Sequence, residues 1–248
     1  MGLRKRKRRK TPLRFVLTIL LTAIVIYSST QIVLSLRTYS QEAAMRKEML
    51  AFKPPVAHTT CEPNRSILAL RERNADTLGW LTVPGTNIDY PFVQTENNSD
   101  YLTQNIDKER ASAGTLFLDY RNEPGLMSFN SLIYGHHMRN GSMFGSLQSF
   151  DDTVFFDEHP LGTLYLAYDT CDFEIFAYMV AHADNAIIYD TIDLDAKAQQ
   201  IYFQYIVENA RNYRDIALVP GDRILTLSTC AYEFSNARTV LLGRLKPR

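Results

Sequence analysis

The sequence predicts a mainly β domain of about eight strands, an antiparallel barrel or sandwich, behind a single membrane-spanning segment. Three observations predict it. Short runs of β-forming residues recur at regular spacing between turn signals. Long helical patterns are few. One uncharged apolar stretch, 22 residues long, stands near the N-terminus of the 248-residue chain.

The membrane segment is justified first by charge. Residues 1–14, MGLRKRKRRKTPLR, hold eight Lys or Arg and no acid, while the remainder holds 19 basic and 27 acidic residues, a net of about −8. A basic tail can bind nucleic acid. Here an apolar segment follows at once, so the tail is read as a membrane flank and no nucleic-acid partner is expected. Residues 15–36, FVLTILLTAIVIYSSTQIVLSL, carry no charge, and about 20 apolar residues span a bilayer. A cleaved signal peptide would have an apolar core of roughly 7–15 residues and a small-x-small cleavage site. No such site precedes Tyr39. The segment is therefore expected to be an uncleaved anchor. Positive charge stays in the cytoplasm, which puts residues 1–14 inside and residues 37–248 outside. Residues 37–63 read as a stalk and 64–248 as the folded domain.

Only three cysteines occur, Cys61, Cys171 and Cys230. Disulfide-reliant secreted domains carry many, in even number. At least one thiol here is free or pairs with another chain. Cys61 lies in a polar stretch beside a proline and Cys171 in YDTCDFEIF, and both are expected to be ordinary surface or half-buried thiols.

The elements follow in order. TYSQEAAMRKEML has helical composition and KPPVAHTT breaks it. A helix capped by Asn64 should cover RSILALRERNADTL. GWLTVPGTNIDYPFVQ gives two strands about the turn PGTN. GTLFLDY and NSLIYGHHM are further strands separated by RNEPG. GSMFGSLQSF suggests a short helix. HPLGTLYLAYDTCDFEIFAYMVAHA reads as a hairpin of long strands. In DLDAKAQQIYFQYIVENARNYR, Ile201, Tyr202, Tyr205, Ile206 and Ala210 fall at helical spacing, with Asp193 or Asp195 as cap. DRILTLSTCAY and RTVLLGRL close the chain as two strands.

Chemistry concentrates at that end. If the last two strands pair antiparallel around the loop AYEFSNA, Arg238 sits beside Cys230, since opposed residues lie roughly 4.5–5.5 Å apart at Cβ. A fixed cation favours the thiolate, which is the nucleophile, and stabilises negative charge developing on a carbonyl oxygen. Of the five histidines, His58, His159 and His182 read as solvated polar residues. His136 and His137, in YGHHM, follow a strand where a site built on loops would lie. A cysteine with a sequence-distant histidine is a known nucleophile pattern. Alternation puts Leu132, Tyr134 and His136 on one face and Ile133, Gly135 and His137 on the other, without choosing between the histidines. Adjacent strand histidines point to opposite faces and chelate one ion poorly. No CxxC, HxxxH or HExxH occurs, so neither metal nor cofactor is expected.

These motifs together resemble a class B sortase. TLSTC followed by Arg238 is similar to the family's cysteine–arginine signature, and LIYGHHMRNGSMFGSL to the class B histidine motif. GWLTVPGTNIDYPFVQ and GTLFLDYRN match its early strands in character and order. The helical segment near 195–212 resembles the helix that class B inserts between its sixth and seventh strands. The resemblance covers roughly residues 64–248. It implies an eight-stranded sortase barrel with N-terminal helices and one long helix between late strands. It implies Cys230 as nucleophile, His136 as proton donor and Arg238 as the oxyanion- and substrate-orienting residue, with Tyr134, Ser228, Asn98 and Leu102 along a peptide groove. The partners it implies are sorting-signal peptides of surface proteins, with a peptidoglycan precursor or a pilin lysine as acceptor amine. Two rivals stand beside it. A papain-like peptidase would pass the acyl group to water, but its C-G-S-C-W signature is absent. A tethered binding module would make the cysteine, histidine and arginine incidental.

Overall fold

The computed structural model describes residues 11–55, 63–190, 192–229 and 236–247. Two compact units are present, Met1–Met45 and Arg46–Arg248. Helix α1, Thr11–Leu50, is continuous over 40 residues. The segments expected as anchor and as the first part of the stalk are thus one helix, because no proline or glycine interrupts residues 13–53. It is long and apolar enough to cross a membrane, with a mean hydropathy of 2.0 in its apolar window and none of that window buried. Several of its hydroxyls bond to its own backbone. Thr18, Thr22 and Thr30 each donate to the carbonyl four residues earlier at 2.8 Å.

In the second unit, helix α2 spans Arg65–Arg73, and Asn64 caps it by accepting from the Ile67 amide at 3.3 Å. The helix is shorter than its periodicity suggests. Thr77 and Leu78 belong instead to the first strand, where Leu78 packs in the core. The strands are β1 (Thr77–Thr82), β2 (Asp89–Val93), β3 (Leu116–Leu118), β4 (Asn130–Gly135), β5 (Leu161–Leu166), β6 (Thr170–His182), β7 (Asn212–Tyr213), β8 (Ile224–Thr229) and β9 (Ala237–Pro247). Eight of them run in the order β5-β1-β2-β3-β4-β8-β9-β6, and a β5–β6 pairing closes the ring. The two-residue β7 attaches to β6 alone. This is the eight-stranded closed barrel that the resemblance implied.

Two pairings differ from an all-antiparallel expectation, since β2–β3 and β4–β8 are parallel. A parallel partner cannot be reached by a hairpin and needs a long crossover. Residues 94–115 supply one, and most of the later chain supplies the other. Local sequence shows turns, not the partners of distant strands.

The core has two parts, which explains why β8 reads as an unbroken β-former run. Leu225 and Leu227 face inward with Phe92, Leu116, Ile133, Phe173 and Leu241. Ile224 faces outward with Leu132, Met179, Val240 and Leu242, under Tyr202, Phe203 and Ile206 of helix α5 (Ala196–Asn209). Of the two candidate caps, Asp195 caps α5, accepting from the Ala198 amide at 2.8 Å, while Asp193 accepts from the Phe129 amide. Two short helices had no clear periodicity, α3 (Thr153–Glu158) and α4 (Ala186–Tyr189). Cys171 corrects another expectation. It is 3% exposed, inside the barrel, and burial pushes its thiol up to about 11. Its neighbour across the strand pair is Leu164. Cys61 lies outside the described residues.

Candidate active site

The site stands where β4, β8 and β9 run side by side. Parallel register sets Tyr134 against Ser228 and Gly135 against Thr229. Antiparallel register sets Ser228 against Val240. Alternation from Ile224 turns Thr226 and Ser228 to the outer face of the barrel, together with Leu132 and Tyr134 of β4. Asn130 ties this face together. Its side chain accepts from Thr226 Oγ1 at 2.7 Å and donates to the Ile188 carbonyl of α4 at 3.1 Å.

Cys230 and residues 231–235 lie outside the described residues. Beyond them, Arg238 is half-buried on β9. Its Nη1 donates to the Thr229 carbonyl at 3.3 Å. The Thr239 amide donates to Thr229 Oγ1 at 3.1 Å. The end of β8 is therefore gripped by β9 through a guanidinium and a backbone N–H.

His136 and His137 are sorted by their surroundings. A Cβ at Gly135 would collide with Leu116 and Phe144, so only glycine lets β4 pack inward just before the histidines. His136 Nε2 lies 2.6 Å from the Leu102 carbonyl. A carbonyl only accepts, so Nε2 carries the proton in this arrangement. His137 forms an isolated bridge with Met143, and its buried Nδ1 has no partner among the described residues. Leu102 ends a 3₁₀ turn, Asp100–Leu102. That turn is fixed by Tyr101, whose buried hydroxyl donates to Asp76 Oδ2 at 2.8 Å and accepts from Asn74 Nδ2 at 2.6 Å.

The remaining expected groove residues are joined by groups that the sequence did not single out. Ser228 Oγ and Tyr189 Oη are 3.0 Å apart. The rings of Tyr134 and Tyr189 stack at 6.5 Å between centroids. Asn98 Nδ2 and Tyr134 Oη both donate to Asp119 Oδ2, at 3.0 and 3.1 Å. Arg121 grips the same carboxylate and continues to the Tyr189 carbonyl at 2.7 Å. Burial opposes ionisation of Asp119, but the Arg121 and Asn98 donors outweigh it and hold the carboxyl below its usual range. Burial, aided by that negative neighbour, pushes the Tyr134 hydroxyl up. Asp119 and Arg121 lie in LFLDYRNEPG, where strand and turn signals mask any other role. Tyr189 lies in NAIIYD, too short for periodicity. Among the described residues, no group of three or more His, Cys, Asp or Glu could hold a metal ion.

The sortase domain family matches residues 81–246. The chain belongs to the sortase family, in its class B. It is 31% identical over 234 residues to Sortase B of Listeria monocytogenes, covering 92% of this chain and 95% of that one. Its fold superposes on a Staphylococcus aureus sortase B–substrate complex with a TM-score of 0.77 at 24% identity, over 86% of this chain and 99% of that chain. A Streptococcus pyogenes class B sortase involved in pilus biogenesis gives a TM-score of 0.67 at 33% identity, over 72% and 96%. Membership implies a cysteine transpeptidase acting on surface proteins. The papain-like rival has no support in either the barrel or these relatives.

Proposed function

We propose that this sortase is a membrane-anchored transpeptidase that cleaves a C-terminal sorting motif after threonine and passes the acyl group to an amine. Residues 1–14 are its cytoplasmic tail, 15–36 its anchor, 37–63 its stalk and 64–248 its catalytic domain. In the reaction, the Cys230 thiolate attacks the threonine carbonyl carbon and a C–S bond forms. The C–N bond then breaks, and His136 gives the departing amine its proton. Arg238 faces the oxyanion. A second amine attacks the thioacyl carbon, loses its proton to the neutral histidine and expels the thiolate. Covalent catalysis of this kind divides one difficult step into two easier ones.

One observation carries the reading. The described registers end at Gly135 against Thr229 and at Ser228 against Val240; if continued, by one residue on β4 and by two on β9, they would set 136 and 238 against 230. A nucleophile, a proton carrier and a forked cation would then stand in one row across three strands. Tyr134, Ser228, Asn98 and Leu102 would line the approach.

The acceptor is either a peptidoglycan precursor or a pilin lysine, and the pilus-related relative from Streptococcus pyogenes keeps the second open. Anchoring enzyme and substrate to one surface raises their effective concentration in either setting. A single experiment tests activity and orientation together. Intact cells displaying the full chain are given a quenched peptide carrying Asn-Pro-x-Thr-Asn or x-Pro-x-Thr-Gly, with triglycine or a lysine-bearing peptide. The joined product should form without lysis. Free acid alone would make the enzyme a peptidase, and joining only after the membrane is opened would reverse the orientation.

A further inference from the structure

Asp119 is fully buried immediately after β3, and among the described residues its hydrogen bonds go to neither His136 nor Arg238. Its carboxylate receives five hydrogen bonds. Oδ2 takes Asn98 Nδ2 at 3.0 Å, Tyr134 Oη at 3.1 Å and Arg121 Nη2 at 2.8 Å. Oδ1 takes Arg121 Nε at 2.9 Å and the Arg121 amide at 3.0 Å. An ionised carboxylate can only accept, so each partner is forced to spend a proton on it.

The consequence is a fixed polarity at the groove. The Asn98 Oδ1 is already taken by the Tyr120 amide at 3.0 Å. With one amide hydrogen on Asp119 and the oxygen turned to the Tyr120 amide, the second N–H remains to donate outward. Tyr134 gives its hydroxyl proton to Asp119, so its oxygen can offer lone pairs only. Asn98 therefore presents a donor and Tyr134 an acceptor, the complement of a peptide's C=O and N–H. Arg121 extends the same device to the other wall. It joins Asp119 to the Tyr189 carbonyl at 2.7 Å and to Asp190 Oδ1 at 3.1 Å. Tyr189 in turn meets Ser228.

We propose that Asp119 is a positioning residue of the peptide groove: it sets Asn98 as donor and Tyr134 as acceptor, and through Arg121 it holds α4 at the distance the peptide needs. The proposal rests on the transpeptidase reading and names a determinant of peptide binding, not of bond-breaking.

The test uses the full chain in detergent with the quenched Asn-Pro-x-Thr-Asn and x-Pro-x-Thr-Gly peptides. Asp119→Asn keeps the shape, removes the charge and adds a donor. KM should rise at least about tenfold while kcat stays within about threefold, the pattern of lost binding felt equally in ground and transition states. Alkylation of Cys230 by iodoacetamide should be unchanged. Tyr134→Phe should also raise KM. Adding it to Asp119→Asn should cost less than the product of the two effects, because one acts through the other. Should Asp119→Asn fail to fold, Arg121→Lys at the half-exposed neighbouring position carries the test, since an ammonium cannot reproduce the fork. An unchanged KM in the folded variant, multiplicative effects, or kcat and alkylation falling together would overturn the proposal. A wild-type enzyme that turns over neither peptide would instead overturn the transpeptidase reading, so the two failures are distinct.

Discussion

Replacing His136 by alanine should remove nearly all transpeptidation, while His137→Ala should keep a substantial part. The two rings differ by one residue and by face. His136 follows Leu132 and Tyr134 to the outer side of the barrel and meets the Leu102 carbonyl at 2.6 Å. His137 turns the other way, bridged to Met143. A proton carrier must lie within hydrogen-bond reach of the leaving nitrogen, and only the outer face adjoins Ser228 and the end of β8. General acid–base groups are worth typically 10²–10⁴-fold, so His136→Ala is expected to lose at least about a thousandfold in kcat/KM. The Leu102 contact fixes the ring without consuming Nδ1. Steady-state rates of both variants on one peptide, with thermal melts beside them, check the ranking. The reverse order would move the proton-transfer role to His137.

Arg238 should prove nearly as sensitive, and lysine should not rescue it. The side chain is half-buried, and one Nη1–H already holds the Thr229 carbonyl. The planar fork leaves further donors for a peptide carbonyl or for the oxyanion. A lysine ammonium carries the same charge but cannot hold the backbone and the substrate in one plane. Losing a single oxyanion donor costs about 10²–10³ in rate. Arg238→Ala and Arg238→Lys should therefore both lose at least about a hundredfold in kcat/KM while still folding and still being alkylated at Cys230. Near-wild-type turnover by the lysine variant would show that charge alone suffices and would remove the bidentate role.

How much of this was legible in the sequence depends on distance along the chain. The β5–β6 hairpin, the Asn64 cap and the β8–β9 pair were readable because turns and caps act between neighbours. The pairing of β4 with β8 was not, since about ninety residues separate them and nothing local marks a parallel partner. For that reason alternation could split the two histidines by face but could not say which face met the cysteine strand. Cys171 was misjudged because Asp169, Thr170 and Asp172 beside it have the composition of an exposed turn, whereas β6 starts at Thr170 and buries Thr170, Cys171 and Phe173. Asp119 escaped notice for a related reason. An aspartate followed by an arginine two residues later, before a Pro-Gly turn, has the composition of a solvated loop. Only the fold shows Asn98, Tyr134 and Arg121 meeting on one carboxylate. TLSTC and YGHHM were singled out through resemblance to the family, and the structure adds that β4 and β8, which carry the described part of each, are adjacent strands.

In the proposed reaction, Cys230 carries the acyl group from one amine to another. Rapid acid quenching of the wild-type enzyme with a sorting peptide, followed by intact mass and peptide mapping, measures this directly. A transient adduct equal to the peptide through its threonine is expected on Cys230, and it should disappear faster when triglycine or the lysine peptide is added. An adduct on another residue, or undiminished cleavage by Cys230→Ala, would contradict it.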